Sequence, residues 1–409
     1  MKLQSFIKEI VIISIVLISQ GSVGQVPYER ILNASDEPQN WLTYNGSYMS
    51  QRYSLLDQIN RENVNQLELK WVLQNQVFGA WQSNPIIVDG VMYVTERPNS
   101  VMAVDAVTGR VYWKYRHQNA DNALVCCGAN YRGVAVLNDK VYMGTLDAHL
   151  VALDRVNGQL LWEAEVGDVN LAYSVTMAPL AVKDKILVGV GGGEFGIRGY
   201  VAAFNAETGE QAWKTYTIPG PGEANHDSWE GDDWEHGGAP VWITGSFDSD
   251  LNLTYWGVGN PGPDWNAGQR PGDNLYSDSA IALDADTGEL KWYFQFTPHD
   301  VHDWDAIQVP ILADLNIEGQ DRRVMMWANR NAFFYSIDAA DGQFLKASPF
   351  ATQTWAQGLD ANGRPIRVPG MAPTYEGIMV SPPITGGTNW YSPGSVSYTH
   401  LTLPTNREV

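Results

Sequence analysis

The sequence predicts an all-β fold, a β-propeller whose units are locked together by tryptophans. Three observations carry the prediction. An Asp or Asn followed four residues later by Gly recurs at Asp105/Gly109, Asp154/Gly158, Asn205/Gly209 and Asp284/Gly288, and each Gly precedes a Trp by four residues: Trp113, Trp162, Trp213 and Trp292. These glycines stand 49, 51 and 79 residues apart, a basic period near 50. Between copies, apolar residues alternate over short runs such as 91–95 (VMYVT) and 141–145 (VYMGT), which is strand periodicity and excludes helical solenoids. An all-β repeat of about 50 residues with one aromatic per unit marks a propeller, and a sandwich with recurring hairpins is the competing architecture.

Each element has a local cause. Residues 67–71 (LELKW) read as the closing strand of a first unit. In each repeat the Asp bonds its own backbone and the Gly takes positive φ, which makes a tight turn. The strand after the turn then delivers its Trp to the neighbouring unit. A weaker copy follows at Asp338/Gly342, with Lys346 where Trp is expected. The 79-residue spacing contains two irregular stretches, 217–236 and 260–276, rich in Gly, Pro, Asp and Trp. Long polar loops on a rigid scaffold commonly carry function.

The two ends read differently from the middle. Lys2 and Lys8 flank an apolar run at 10–18, and Ser22 and Gly24 precede a cut before Gln25, so residues 1–24 read as an export signal. An uncleaved anchor is the alternative, although the run is short for a membrane span. The propeller is expected over 25–394. Residues 395–409 (SVSYTHLTLPTNREV) carry no turn motif and read as an atypical, artefactual tail; a natural tail is the alternative.

Composition narrows the function. With 409 residues, 44% hydrophobic, the chain can bury a large core. Its 46 acidic against 26 basic residues give a net charge of -20, which argues against a nucleic-acid partner. The charge suits small molecules, cations or a basic protein. The only cysteines, Cys126 and Cys127, are adjacent; this excludes a zinc-ligand spacing, a haem-attachment motif and a multi-disulfide scaffold. An oxidising destination allows them to bond to each other. Adjacent Cα atoms lie about 3.8 Å apart, below the usual disulfide range of about 4.4–6.8 Å, so such a ring needs surroundings that hold it. Two buried thiols are the alternative.

Cys126-Cys127 with Asn130-Tyr-Arg132-Gly133, the Trp repeats, and the segments around Glu194 (Gly191-Gly-Gly-Glu-Phe-Gly), Asn260 (Gly257-Val-Gly-Asn-Pro-Gly) and Asp303 (His299-Asp-Val-His-Asp-Trp-Asp305) resemble one family. It is the quinoprotein alcohol dehydrogenases of the methanol/ethanol dehydrogenase group, which use pyrroloquinoline quinone (PQQ). The resemblance runs from about residue 41 to 393. It implies an eight-bladed propeller whose last blades are missing from this chain. It also implies that Cys126 and Cys127 form a disulfide over one face of PQQ and that Trp242 lies against the other. By the same resemblance Arg132, Thr176, Arg330, Gln82, Asn389 and Trp390 contact the cofactor. Gln82 departs from the Glu the family often has, and Gly191 stands where methanol dehydrogenases have Ser.

The resemblance further implies a cation held by Glu194, Asn260, Asp303 and Asp305, with Asp303 as the catalytic base. Carboxylate and amide oxygens suit a hard ion, and the glycines around Glu194 and Asn260 let backbone approach the cofactor closely. In an extended segment, positions i and i+2 face one way, so Asp303 and Asp305 could share one ion. Calcium members usually lack an acid at the second position, whereas lanthanide members carry Asp. The three carboxylates favour a trivalent ion over Ca²⁺. His302 replaces a Trp often found before the catalytic Asp.

The expected function is therefore periplasmic oxidation of a small primary alcohol to an aldehyde, with hydride passing to PQQ and electrons to a cytochrome c. No membrane span is expected after signal cleavage. A PQQ-dependent sugar or polyol dehydrogenase and a non-enzymatic propeller scaffold are the competing readings.

Overall fold

The computed structural model of the chain describes residues 24–79 and 81–396. The export signal at 1–24, except Gly24, and the tail from 397 lie outside the described residues. Five four-stranded antiparallel sheets follow one another, each a simple meander in chain order. The first contains Ile86–Val88, Val91–Glu96, Ser100–Asp105 and Val111–Arg116. The second contains Ala135–Leu137, Lys140–Gly144, His149–Asp154 and Leu160–Glu165, and the third Leu180–Val182, Lys185–Gly189, Tyr200–Asn205 and Gln211–Tyr216. The fourth contains Ser246–Asp248, Leu253–Gly257, Ser279–Asp284 and Leu290–Gln295. The fifth contains Ile311–Ile317, Gln320–Ala328, Phe333–Asp338 and Phe344–Pro349, and a two-stranded pair, Ala356–Leu359 with Pro365–Arg367, comes after it. In the second sheet the first three strands are almost wholly buried while the fourth alternates with solvent. Apolar side chains between successive sheets form the core.

The repeats do what their chemistry requires. Asp105, Asp154, Asn205 and Asp284 each accept two backbone N–H bonds from their own turn through Oδ1. Their glycines sit at φ of 74–75°, where a side chain is strained. Each Trp reaches across to the next sheet and donates its indole N–H to the carbonyl just after that sheet's turn Asp or Asn. The bonds are Trp113 to Arg155 (3.1 Å), Trp162 to Ala206 (3.2 Å), Trp213 to Ala285 (3.3 Å) and Trp292 to Ala339 (3.1 Å). The ring lies on the turn glycine, so the motif codes both halves of one inter-sheet lock.

Two expectations need correction. Residues 67–71 form no strand, because no neighbouring strand among the described residues pairs with them, and Leu67 and Leu69 are 63% and 82% exposed. Trp71 still docks as its homologues do, donating to Ala106 O at 3.2 Å. Lys346 is not a failed lock. Phe344 takes over, its ring covering Gly363 of a later turn at Asp360, whose Asp-to-Gly spacing of three escaped the four-residue pattern.

The two irregular stretches fold onto each other. Asn225 Nδ2 donates to Tyr276 Oη (2.9 Å), and Leu275 N donates to Ser228 Oγ (2.9 Å). Arg270 is fully buried beneath them. It donates to the carbonyls of Pro263 (3.1 Å), Asp264 (3.1 Å) and Asp300 (2.6 Å), and to Asn274 Oδ1 (2.9 Å). One guanidinium thus ties the loop after Asn260 to the segment that leads into Asp303.

Candidate active site

In a four-stranded meander, the turns between second and third strands and the links from one sheet to the next fall at the same end. The Asp–Gly turns, between third and fourth strands, fall at the other. Every sequence-predicted site residue in or between the five sheets lies on the first kind of segment. Cys126, Cys127, Arg132, Thr176, Trp242, Asp303 and Asp305 are on links, and Glu194, Asn260 and Arg330 are on second-to-third turns. Gln82 precedes the first sheet, and Asn389 and Trp390 follow the two-stranded pair. All but Asn260 line a single cavity of about 220 Å³.

Cys126 and Cys127 are disulfide-bonded, with Cα atoms 3.8 Å apart and Cys127 at φ 64°. The two sulfurs and a Glu194 carboxylate oxygen lie within 4.8 Å of one another. Bonded to each other, the sulfurs are not thiolate ligands, which leaves Glu194 as the metal-binding group of that trio. The disulfide loop is anchored from below. Asp147 Oδ2 accepts from Ala120 N (2.8 Å), while Oδ1 accepts from Thr145 Oγ1 (2.5 Å) and faces His117 Nε2 (3.0 Å) and His149 Nδ1 (3.7 Å). Burial works against ionised Asp147, but His117, His149 and Thr145 outweigh it and hold the carboxyl well below its ordinary range. Asp147 in turn raises the pKa of His149. Stability from protonated His149 is fully present below its unfolded pKa of about 6.5 and is lost as pH rises through the raised folded value. The urea midpoint should therefore fall between pH 6 and pH 8 by more in the native protein than in His149→Phe; equal falls would remove this coupling.

Arg132 is buried, and burial brings its pKa down to about 10, so it stays charged at neutral pH. Its Nη1 donates to Thr176 Oγ1 (3.0 Å), Thr176 O (3.3 Å) and Trp242 O (3.4 Å). The guanidinium carbon lies 4.7 Å from the Trp242 ring and 5.5 Å from the Trp390 ring. Opposite, Arg330 Nη1 donates to Asp305 Oδ2 (2.7 Å) and Asp303 O (2.9 Å), and lies 3.5 Å from Asp303 Oδ1. Asp303 and Asp305 thus converge on one guanidinium, where the sequence suggested a shared cation. The segment is not extended, however: Asp303 sits at φ 58°. Arg330 from one side and Asn260 N, which donates to Asp305 Oδ1 (3.0 Å), from the other set the shared orientation.

Burial and the charge of Asp305 push the Asp303 carboxyl up to about 9, with Arg330 opposing. Burial also raises Asp305. Enclosure, with Asp305 and Asp264, raises Glu194. Crowded carboxylates of this kind ionise when a cation joins them. The donor set therefore fits a hard metal ion. The walls suit a ligand with both anionic and donor groups: Arg132 Nε and Arg330 Nε are donors, and Gln82 Oε1 and Asn130 Oδ1 acceptors, all buried on the cavity wall with no hydrogen-bond partner, and buried groups of this kind call for a ligand's polar atoms.

Two further corrections concern the site. Asn260 does not line the cavity, but its N–H donates to Asp305 Oδ1 and so joins it to the carboxylate cluster. The glycine before it serves packing within the protein, since a Cβ on Gly259 would collide with Oδ1 of Asp305. Gly191 and Gly192 lie on the cavity wall, and a Cβ on Gly191 would stand 3.0 Å from Ser174 Oγ. The sequence reading missed Ser174 and Pro240 on the wall, and the Arg270 clamp. None of them carries a signal of its own; Gly191, which leaves room for Ser174, is the nearest to one.

Fold and site together define a β-propeller whose cavity pairs two buried guanidinium groups with a cluster of carboxylates. Residues 41–348 match the family model "PQQ: Glucose/ethanol/alcohol dehydrogenase, beta-propeller domain". The chain is 39% identical to quinoprotein alcohol dehydrogenase PedH of Pseudomonas putida, over 93% of this chain and 68% of that one. It is 43% identical to quinohemoprotein alcohol dehydrogenase ADH-IIG of Pseudomonas putida, over 82% and 49%. Among solved structures, a europium-containing methanol dehydrogenase superposes with a TM-score of 0.88 at 34% identity, over 92% and 70%. The chain belongs to the family of PQQ-dependent alcohol dehydrogenases. It spans about half to two thirds of the length of the curated relatives named here. Family membership sets aside the scaffold reading.

Proposed function

We propose that this chain oxidises a small primary alcohol to an aldehyde in the periplasm, with PQQ and one Ca²⁺ or lanthanide ion, and passes electrons to a cytochrome c. The observation that carries this is the convergence of Asp303 and Asp305 on Arg330, in the same cavity as the unpartnered polar atoms of Gln82, Asn130, Arg132 and Arg330. Held by Arg132, Arg330 and the carboxylates of Glu194, Asp303 and Asp305, PQQ and its cation would supply an electrophilic carbonyl as hydride acceptor. Asp303 takes the hydroxyl proton. Its carboxylate is the looser of the pair, 3.5 Å from Arg330 Nη1, whereas Asp305 is bonded at 2.7 Å. Asp305 is therefore committed to holding charge, and Asp303 is free to accept a proton. Arg132 and Arg330 would hold the cofactor's anionic oxygens. Gln82, Thr176, Asn389 and Trp390 complete the wall, and Trp242 and the disulfide present flat, weakly polar surfaces.

The periplasmic address rests on residues 1–24 and on the oxidised Cys126–Cys127 pair. No helix among the described residues is long and apolar enough to cross a membrane. The net charge of -20 suits a basic cytochrome.

Titration of the protein with PQQ, followed by tryptophan fluorescence with Ca²⁺ or La³⁺ present, tests the site directly. Saturable, metal-dependent quenching is expected. Asp305→Ala should weaken the La³⁺-supported binding by about tenfold, on the scale of a lost metal-site contact, and the Ca²⁺-supported binding by less. Equal losses would remove the preference for a trivalent ion, and quenching indifferent to metal would end the metal assignment. A substrate panel of primary alcohols against sugars and polyols separates the two enzyme readings.

A further inference from the structure

We propose that Asp264 is a positioning residue that fixes the side-chain amide of Asn260 so that its oxygen, not its NH₂, is offered to the cation. The proposal rests on the metal reading of the site given above.

An Asn side chain has one end that ligates a cation and one that repels it, and the two ends have nearly the same shape. Something must choose between them. Asn260 Nδ2 donates to Asp264 Oδ1 at 2.8 Å and to Pro261 O at 3.4 Å. Both partners are acceptors only, so a flipped amide would press its oxygen against a carboxylate and a carbonyl. In the observed orientation, Oδ1 accepts no hydrogen bond from any described residue and is left for a ligand. The main chain of Asn260 is tied to the same centre, since its N–H donates to Asp305 Oδ1.

Asp264 is itself held in place. Its carbonyl accepts from Arg270 Nη2 at 3.1 Å, and the same nitrogen donates to Asp300 O at 2.6 Å. Arg270 is fully buried, so Asp264 and the segment leading to Asp303 and Asp305 form one braced unit. The carboxylate also adds charge: it acts electrostatically on Glu194, Asp303 and Asp305. With Asp264 counted, four carboxylates act on one another here, opposed by Arg330 and, at Asp305, by Arg132. A trivalent ion gains more from the fourth than a divalent one does.

The test is Tb³⁺ binding to the purified protein, read by tryptophan-sensitised luminescence, with Ca²⁺ affinity obtained by displacement. Asp264→Ala removes both the acceptor and the charge, and should weaken Tb³⁺ binding by about 10–100-fold, the usual effect of losing a group that orients a metal ligand. Asp264→Asn keeps an acceptor oxygen for Asn260 Nδ2 and removes only charge. It should leave Ca²⁺ binding within about threefold of the native protein and weaken Tb³⁺ by about tenfold. Circular dichroism and the urea midpoint confirm that each variant is folded. If Asp264→Ala fails to fold, Asp264→Leu, which fills the space and offers no acceptor, decides in its place: native-like Tb³⁺ binding overturns the proposal, whereas loss of Ca²⁺ and Tb³⁺ in equal measure, or of neither, in Asp264→Asn removes only the charge argument. Native-like Tb³⁺ binding by folded Asp264→Ala, in a protein whose binding is weakened by Asp305→Ala, overturns the role of Asp264 and leaves the metal reading standing. No saturable Tb³⁺ binding by the native protein overturns both.

Discussion

Asp303→Asn should lower kcat by about 10²–10⁴-fold, the contribution of a positioned general base, while folding and cofactor binding persist. The amide matches the carboxylate in size, so the packing around residue 303 is kept. It also keeps an oxygen toward Arg330, whose Nη1 is bonded more tightly to Asp305 and to the Asp303 carbonyl. What is lost is a basic oxygen at the cavity wall. The measurement is turnover of a primary alcohol with an artificial electron acceptor, set beside PQQ titration of the same variant. Native turnover would end the assignment of Asp303 as the base. Lost turnover together with lost PQQ binding would assign it to holding the site and not to proton transfer.

Trp213→Ala should destabilise the fold by roughly 3–5 kcal/mol, the range for removing a large buried aromatic. Trp213 is only 8% exposed, and its indole N–H satisfies Ala285 O at the turn of the fourth sheet. Its ring also lies on Gly288, where a Cβ would stand 2.5 Å from the ring. Nothing nearby can fill the space, because Gly288 at φ 74° tolerates no side chain without strain. Urea unfolding measures the change in midpoint and slope. A loss below about 1 kcal/mol, the level of a surface substitution, would show that the irregular stretches at 217–236 and 260–276 hold the third and fourth sheets together without the lock.

Much of this was legible in the sequence because it is local or periodic. The Asp-to-Gly turns are specified within five residues, and the tryptophans recur at a fixed offset from them. Even Trp71 was found, although the strand expected around it is absent, since docking depends on the ring and not on the strand pairing. The site residues were legible through motif resemblance, and all but Asn260 reach one cavity. What was not legible depends on contacts between distant segments. Phe344 covering Gly363, Arg270 bridging three carbonyls and Ser174 facing Gly191 leave no period and no spacing to read. The backbone of Asp303 was misjudged for a related reason. Alternation was assumed for a segment whose shape is set by Arg330 and by the link it belongs to.

The division of the meander into two ends has a consequence for how such chains diversify. Along the sequence, the links and second-to-third turns that build the cavity are interleaved with the third-to-fourth turns and fourth strands that build the inter-sheet locks. Exchange of an inter-sheet link or a second-to-third turn between two relatives, with crossovers inside the bordering strands, carries recognition across and leaves assembly behind. Exchange of a turn and its tryptophan does the reverse. The chain is in this sense two interleaved texts, and recombination can edit one while copying the other unchanged.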